Sequence, residues 1–418
     1  MEREIKHTEI GDIPVDWKFQ TFDETFRVLS NNTLSRENLN NRSGAIRNIH
    51  YGDILTKFPE VLDCNKEKIP YVNDLSMLSS STQLLQDGDI VVADTAEDET
   101  VGKVTEVQNL GDSKLVAGLH TIPCRVKKGD FAPGWLGYYM NSDLFHNQIL
   151  PYITGIKVSS ISKGAISETL ILVPPFDEQE KIVQTLNEVQ LLMTAETKVV
   201  NKIKFVKNGC LSKMFPQKDD PVPEMRLPGF TAAWEQRKLN EVSDVRDGTH
   251  DSPKYQSIGH PFVTSKNVKN GYITYDDIQY ISDEDFAEIN KRSKVDVNDI
   301  LMGMIGTIGN MALIRTEPNF AIKNVALIKD TKQINYLYLY HLLQSPFVEK
   351  QLTSGMDGGT QKFVSLSNVR NLNVIYPSDI EQDKIGRYFE HLDHLITLHR
   401  RMLISLEIFT YKDIQRKN

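Results

Sequence analysis

Two segments of the chain decide its fold: LILVPPFDEQEKIVQTLNEV at residues 170–189 and LNVIYPSDIEQDKIGRYFEHL at residues 372–392. Glu178 and Gln179 of the first segment recur as Glu381 and Gln382 of the second, an offset of 203 residues (381 − 178). In both segments a short apolar run ends at proline, and an aspartate that can cap a helix precedes a long stretch without proline. The pattern predicts an internal repeat in which each half ends in a long helix.

Further matches occur in the same order along the two halves. VSSIS at residues 158–162 corresponds to FVSLS at residues 363–367, and each half opens on a tryptophan, Trp17 and Trp234. Chance similarity between amphipathic segments would not preserve this order. We therefore interpret the chain as a duplication.

The end of each repeat has the apolar period of a coiled coil. Steps of four and three residues from Ile182 meet eight apolar residues in ten, with Glu196 and Lys207 as the interruptions. The same steps from Ile385 meet six in ten, and the polar positions on this second walk are His399, Thr410, Asp413 and Lys417. Two such helices in one chain can cover each other's apolar stripe. The predicted seam consists of Ile182, Leu186, Val189, Met193, Val200, Ile203, Ile385, Phe389, Leu392, Ile396, Leu403 and Leu406.

The remainder of each half reads as short strands separated by turns. Runs such as DIVVAD, TIPCRV, DILMGM and VALIKD have strand length, and one short helix per half is predicted near WLGYYMNSDLFHNQIL and YLYLYHLLQSPFVEKQL. We expect an α+β protein with two similar mixed α/β domains. The predicted divisions are a first domain at 1–177, a central helix at 178–215, a proline-rich linker at 216–230, a second domain at 231–380 and a C-terminal helix at 381–418.

Composition excludes several classes of protein. A length of 418 residues, 40% hydrophobic and 25% charged, is typical of a multidomain globular chain rather than a disordered one. The sequence shows neither a membrane-spanning run nor a signal peptide, and its three cysteines are too sparse for a disulfide scaffold, so we expect a cytoplasmic protein. The net charge of −8 argues mildly against a simple nucleic-acid coat protein.

Catalytic and metal-binding patterns are weak. VPPF at residues 173–176 resembles the amino-methyltransferase motif, but Val173 replaces the residue that would accept a hydrogen bond from the target amino group. The glycines of GMIGTIGN at 303–310 lack the lysine and hydroxyl residue of a phosphate loop. His391, His394 and His399 lie on one predicted helix face that we interpret as solvated. The sequence therefore predicts a non-enzymatic chain without a metal or cofactor of its own.

Two acid-poor stretches have the composition of a nucleic-acid reader. Residues 31–52 contain several arginines and asparagines against the single acid Glu37, and residues 252–275 contain no acid but several lysines and tyrosines. Arginine suits guanine, asparagine suits adenine, and lysine holds phosphates. A solvated polar loop is the alternative for either stretch alone, but both halves contain one. The candidate DNA-contacting residues are Arg36, Asn38, Arg42, Arg47, His50, Tyr51, Thr249, His250, Lys254, Tyr255, Lys266, Asn267 and Lys269.

The two helix entries, VPPFDEQEKIV and YPSDIEQDKIG, together with the phrases IRNIHYGDI, VAGLHTI, DGTHDSPKY, MGMIGTIGN and LPGFTAAWEQRKL, resemble the specificity (S) subunits of type I restriction-modification enzymes. The resemblance runs the length of the chain. It implies two target recognition domains, each reading half of a bipartite DNA sequence, related by a pseudo-twofold axis. It also implies that the two long helices pack as an antiparallel coiled coil.

The same resemblance implies partners that carry the chemistry. Two methyltransferase (M) subunits would dock on the chain, and motor-nuclease (R) subunits would join them in a bacterial or archaeal cytoplasm. These partners would use S-adenosylmethionine, ATP and magnesium. Because the two halves diverge between residues 31–80 and 248–290, we expect an asymmetric target. The alternatives are a protein-binding coiled-coil scaffold and, with less support, a self-sufficient DNA methyltransferase or nuclease.

Overall fold

The computed structural model describes residues 4–155, 158–217, 222–306, 308–357 and 362–416, with only the backbone for residue 357 and residues 409–416. The chain forms two compact units. The first comprises residues 1–195 and 402–418, and the second comprises residues 196–401. Within the predicted linker, residues 218–221 lie outside the described residues.

The first unit is built mainly of short strands. Its strands are β1 (Ile5–Thr8), β2 (Gly11–Pro14), β3 (Lys18–Thr21), β4 (Phe26–Val28), β5 (Leu39–Asn40), β6 (Ile46–Ile49), β7 (Val61–Asp63), β8 (Tyr71–Val72), β9 (Ile90–Ala93), β10 (Thr95–Ala96), β11 (Val104–Gln108), β12 (Lys114–Ala117), β13 (Thr121–Val126), β14 (Ser159–Ser160) and β15 (Leu170–Val173). Its helices are α1 (Phe22–Thr25), α2 (Tyr51–Thr56), α3 (Trp135–Tyr139), α4 (Asp143–Ile149), α5 (Lys163–Ser167) and the start of α6 (Phe176–Lys213).

Two sheets organise this unit. A five-stranded sheet has the order β4-β13-β9-β11-β7, and a four-stranded sheet has the order β12-β6-β8-β5. In the second sheet β6 and β12 are parallel, with Ile49 opposite Ala117. The main core, which includes the fully buried Trp135 and Tyr139, lies against the base of α6 at Val183 and Leu186.

The second unit repeats this plan with fewer strands. Its strands are β16 (Glu235–Lys238), β17 (Val245–Asp247), β18 (His260–Thr264), β19 (Val268–Lys269), β20 (Tyr272–Ile273), β21 (Gln279–Ile281), β22 (Ile300–Gly303), β23 (Met311–Leu313), β24 (Ala321–Lys323), β25 (Val325–Ile328), β26 (Met356–Asp357), β27 (Phe363–Val364) and β28 (Asn373–Tyr376). Its helices are α7 (Leu239–Val242), α8 (Asp283–Ser293), α9 (Tyr336–Leu343), α10 (Pro346–Ser354), α11 (Leu366–Arg370) and most of α12 (Asp379–Arg416).

The sheets of the second unit correspond to those of the first. A four-stranded sheet has the order β17-β25-β22-β23, and a three-stranded sheet has the order β21-β18-β24. Here β18 and β24 form the parallel pair, with Val263 opposite Ile322. In both units an antiparallel two-stranded ribbon leads to the long helix: β3 with β15, and β16 with β28. The α+β class and the two long helices are thereby confirmed, and so is the repeat.

The short helices differ from the sequence prediction. The segment predicted as one helix in each half forms two, because the chain breaks at Ser142 between α3 and α4 and at Ser345 between α9 and α10. Among the described residues, each half has three further short α-helices that were not predicted. Serine is a favoured residue before the first turn of a helix, and Pro346 can only occupy that first turn. The helix pair is then fixed to the strand before the long helix. Gln351 exchanges hydrogen bonds of 3.1 and 2.8 Å with the backbone of Asn373.

The long helices pack antiparallel within the second unit. Lys207 of α6 contacts Asp393 of α12, and Glu196 contacts His399, so ascending positions on one helix meet descending positions on the other. All twelve predicted seam residues lie buried or half-buried. The weak seam positions Thr410, Asp413 and Lys417 lie outside the described side chains. Among the described residues, the helices are too short or too polar to cross a membrane.

A buried glutamine joins each long helix to its own domain. In the first unit Gln179 accepts a hydrogen bond from the Ala132 N–H at 2.9 Å and donates to the carbonyls of Asp130 and Pro174. In the second unit Gln382 accepts from the Asn335 N–H at 2.9 Å and donates to the Pro377 carbonyl. Both side chains are only 1% exposed. Each glutamine thus pairs backbone groups that would otherwise be buried without partners.

The glutamate before each glutamine ties the helix to the opening tryptophan of its half. In the first unit Trp17 donates its indole N–H to Glu178 at 3.1 Å. In the second unit Arg226 makes two hydrogen bonds of 2.8 and 2.7 Å to Glu381, and its guanidinium lies 5.9 Å from the Trp234 ring. The Glu-Gln motif that revealed the repeat is therefore the structural joint between domain and helix.

Replacing Gln179 with methionine should weaken this joint. The variant keeps the side-chain volume but leaves the Ala132 N–H and the Pro174 carbonyl without partners, which costs roughly 2 to 4 kcal/mol in the free energy of unfolding. Urea unfolding followed by tryptophan fluorescence measures the loss. Gln184→Met, an exposed position on the same helix, is the matched control and should change the free energy by less than about 0.5 kcal/mol. Equal effects of the two substitutions would contradict the assigned role.

Candidate nucleic-acid interface

In the first unit, three loops meet where the parallel strands β6 and β12 end; we call this the first edge. The Gly118 N–H bonds the Ile49 carbonyl at 2.8 Å, joining the two strand ends. Asn32 donates from its backbone N–H and its side chain to the Ala117 carbonyl, at 2.9 and 2.8 Å. His50 follows β6 and caps α2 by accepting the Gly52 N–H at 3.1 Å. Tight backbone pairing therefore fixes the loops that present the side chains.

The second unit builds the same arrangement where β18 and β24 end; we call this the second edge. The Thr249 N–H bonds the Ile322 carbonyl at 3.1 Å, as Asn32 bonds Ala117 in the first unit. The Asn324 N–H bonds the Thr249 carbonyl, and the Ser265 hydroxyl donates to the Asn324 carbonyl at 2.7 Å. In the second unit the incoming loop and the two strand ends are thus held by a pattern of backbone hydrogen bonds like that of the first edge. The side chains at the two edges differ.

A left-handed residue lies just beyond the second strand at each edge. His120 has φ 56° and Asn324 has φ 52°, and asparagine adopts this conformation more readily than histidine. The Tyr51 ring packs between His50, at 4.6 Å, and His120, at 5.3 Å. Asn324 instead places its amide oxygen Oδ1, a hydrogen-bond acceptor, 2.7 Å from His250 Nδ1. Equivalent backbone positions therefore carry an aromatic cluster in one unit and an amide–imidazole pair in the other.

A buried carboxylate orients the cations of the first edge. Asp53 is 1% exposed and lies 2.7 Å from Arg36 and 2.8 Å from Lys57. Burial alone would raise the pKa of Asp53, but the hydrogen bonds from Arg36 and Lys57 outweigh it and lower the pKa, so the carboxylate stays charged at neutral pH. Burial and the nearby Arg36 charge lower the pKa of His50, which keeps the ring neutral and able to accept from Gly52.

Asp247 has the corresponding role at the second edge. Its carboxylate is 8% exposed, accepts a hydrogen bond from Arg292 and lies 2.9 Å from His250 Nε2. The side chains of Arg292 and His250 remain 67% and 65% exposed. Both edges therefore display hydrogen-bond donors on a fixed support, and such donors suit phosphate oxygens and the acceptor edges of bases.

The structure brings some of the predicted contact residues together and separates others. Arg36, His50 and Tyr51 share the first edge, and Thr249, His250 and Lys266 share the second. Lys254, Tyr255 and Lys269 lie on loops or hairpins that lead away from the second edge. Arg42 is exposed at the opposite end of β6 from His50. Their role in contacting DNA stays a prediction.

Three predicted residues have contacts inside the domain. Arg47 is 9% exposed and donates to the Cys64 carbonyl at 2.6 Å. Asn267 is buried and caps the turn at Thr264, and Asn38 accepts from the Ser35 hydroxyl at 2.9 Å. If these residues contribute to recognition, they do so by shaping the loops that present other side chains.

Sequence reasoning missed several residues of the two edges. His120, Lys323, Asn324 and Arg292 reach the edges from distant parts of the chain, because parallel pairing brings β12 beside β6 and β24 beside β18. One signal was present: VAGLHTI and AIKNVAL occupy corresponding places, each with a polar residue directly before a strand. Asp53 and Asp247 were not predicted, because the candidate stretches were recognised by their low content of acidic residues.

The chain resembles known proteins in sequence and in fold. Residues 232–407 match the family model for the type I restriction modification DNA specificity domain. Over 97% of its length the chain is 23% identical to a protein named as the MjaX type I restriction enzyme specificity subunit of Methanocaldococcus jannaschii, 93% of which is covered. It is 24% identical to the EcoBI specificity subunit of Escherichia coli over 60% of this chain and 59% of that protein.

A solved structure shows the same architecture. The crystal structure of a type I restriction-modification S subunit from M. genitalium matches 98% of this chain, and 97% of its own, with a TM-score of 0.54 and 14% sequence identity. That likeness concerns the fold. The family model matches the second half, and a named relative matches nearly the whole chain. The chain is thus similar to specificity subunits of type I restriction-modification systems, in sequence over nearly its whole length and in fold.

Proposed function

We propose that the chain recognises a bipartite, asymmetric sequence of double-stranded DNA, with one half-target read at each edge. One observation carries this proposal: the two edges share a backbone framework and a buried aspartate, yet display different side chains. A shared framework suits the same docking geometry on two half-targets. Different side chains suit different bases, since sequence is read by side-chain contacts to base edges.

The chain would act as the reading component of a larger complex. We propose that it docks two M subunits, which carry S-adenosylmethionine, and through them R subunits that use ATP and magnesium, in the cytoplasm of a bacterial or archaeal cell. The net charge of −8 supports this view, because partners can supply much of the phosphate-binding charge that the chain lacks.

An exposed apolar stripe on α6 supports the docking of a protein partner. Leu192, Val199 and Val206 follow one another at intervals of seven residues and are 49%, 37% and 40% exposed. Heptad spacing places them on one face of the helix, and Phe205 beside them is 79% exposed. The same stripe supports the second candidate function, a protein-binding scaffold whose domains read no DNA. The two functions differ in whether the domains determine the DNA sequence that the complex methylates.

Removing a positive charge from the second edge should weaken DNA binding by the assembled complex. We expect Lys266→Ala to lower the affinity for the target by roughly fivefold or more without dissociating the subunits. If Lys266 contacts a phosphate, the slope of log affinity against log salt should become shallower by about 0.9. Fluorescence anisotropy at several salt concentrations measures both. Lys128→Ala is the matched control, since Lys128 is exposed beyond the end of β13 remote from His120.

Arg42→Ala tests the first acid-poor stretch in the same assay. We expect a loss of affinity like that of Lys266→Ala if the DNA-contacting surface extends from the first edge along β6 to Arg42, whose exposed guanidinium suits a base edge or a phosphate. Normal binding and normal methylation by both variants would contradict our choice of reading loops.

Exchange of a whole domain separates the reader from the scaffold. If residues 1–177 are replaced by the corresponding domain of another specificity subunit, we expect one half of the methylated sequence to change and the other half to persist. Replacing residues 231–380 should change the other half. Sequencing that detects modified bases reads out both exchanges. A methylated sequence that stays the same in both chimaeras would favour the scaffold.

A further inference from the structure

We propose that two polar pairs, Glu196–His399 and Lys207–Asp393, fix the register in which α6 packs against α12, and so select the number of base pairs allowed between the half-targets. This inference rests on the proposed function. It assigns a positioning role to four residues that lie far along the chain from both edges.

Both pairs are short and largely shielded from water. Glu196 lies 2.5 Å from His399, with side chains 16% and 26% exposed. Lys207 lies 2.6 Å from Asp393, with side chains 12% and 24% exposed, and its ammonium is 3.5 Å from the side chain of Gln344, which directly follows α9. At this burial a charge without its partner would lose water without gaining a compensating contact.

His341, which lies near Asp393, does not compete with Lys207 for this carboxylate. His341 Nδ1 is 4.0 Å from Asp393, and its side chain is fully buried. Burial, together with the charges of Lys207 and Arg315, lowers the pKa of His341 well below its usual value. The imidazole is therefore neutral and does not compete for the carboxylate. A second charged group close by, Arg315, is occupied by Glu390 through two hydrogen bonds.

The pairs coincide with interruptions of the apolar pattern. Glu196, Lys207 and His399 occupy positions where the steps of four and three predict an apolar residue. The apolar seam repeats every seven residues, so its spacing alone does not exclude packing that is shifted by a heptad; Leu211 near the end of α6 and Phe215 just beyond it, buried in one core with Phe389, also favour the observed register. Isolated polar residues at such positions are known to specify register at a cost in stability. The polar pairs thus add a preference for one register, which the seven-residue spacing of the apolar residues does not provide.

A shift of one heptad would leave Glu196 without a partner. Its neighbour on α12 would change from His399 to Leu392 in one direction or Leu406 in the other. Either shift would place a carboxylate against an apolar side chain, and His399 would lose its acceptor at the same time.

The same shifts would also unpair Lys207. Its neighbour would change from Asp393 to Gly386 or to Arg400, which has the same charge. Both pairs therefore disfavour both directions of slip. A heptad of helix is about 10 Å long, the length of about three base pairs, so a slip of that size would alter the spacing between half-targets that the protein accepts.

Apolar replacement of the pairs tests the proposal without unfolding the chain. The variant carries Glu196→Leu, Lys207→Leu, Asp393→Leu and His399→Leu in the full chain within its methyltransferase complex. Replacing buried ion pairs with well-packed apolar residues is often neutral or stabilising, so the unfolding midpoint should not fall. We expect spacers that differ from the native one by about three base pairs to gain about tenfold in relative binding.

Two further variants make the outcome decisive. Lys207→Asp with Asp393→Lys reverses the charges of one pair while Glu196 and His399 are retained, and we expect this variant to keep the narrow spacer preference. Lys202→Leu, an exposed position on the same helix, should leave the preference unchanged. A stable apolar variant that keeps the native spacer preference would overturn the proposed role of the pairs. Wild-type complex that selects no split sequence would instead overturn the proposed function.

Discussion

The structure depends on the way each long helix is fastened to its domain through one buried glutamine. Gln179 and Gln382 each hold a backbone turn on one side and the proline-terminated strand end on the other. Such bonds fix direction as well as position, because an amide in a buried site must satisfy both its donor and its acceptor. Each domain is thereby oriented relative to its own helix.

The first and second edges also share one backbone arrangement. Parallel pairing of β6 with β12, and of β18 with β24, brings loops from distant parts of the sequence to one place. A buried aspartate then holds exposed cations in a fixed arrangement at each edge. The duplicated framework keeps geometry constant while the displayed side chains diverge, which suits the proposed reading of two different half-targets in one docking geometry.

The sequence predicted the parts of this fold that depend on local pattern. Period and capping revealed the long helices, and collinear motifs revealed the repeat, because each of these signals is contained within a short segment. The edges could not be predicted as assemblies, since His120 and Asn324 join them only through strand pairing across many residues. Arg47 was predicted to contact DNA because it lies in an acid-poor stretch, but its position on β6 directs its side chain to the Cys64 carbonyl. In the sequence Lys207 and Glu196 only interrupt the apolar pattern of α6. Their partners, Asp393 and His399, become visible only when the two helices are packed together.

The central claim is that this chain determines a split DNA sequence for its complex. A genome-wide map of adenine methylation, compared between cells with and without the gene, tests it most directly. We expect one bipartite, asymmetric motif with a constant spacer to lose its methylation when the gene is removed. Unchanged methylation in a cell that expresses the complete complex, or loss of a symmetric and unsplit motif, would contradict it.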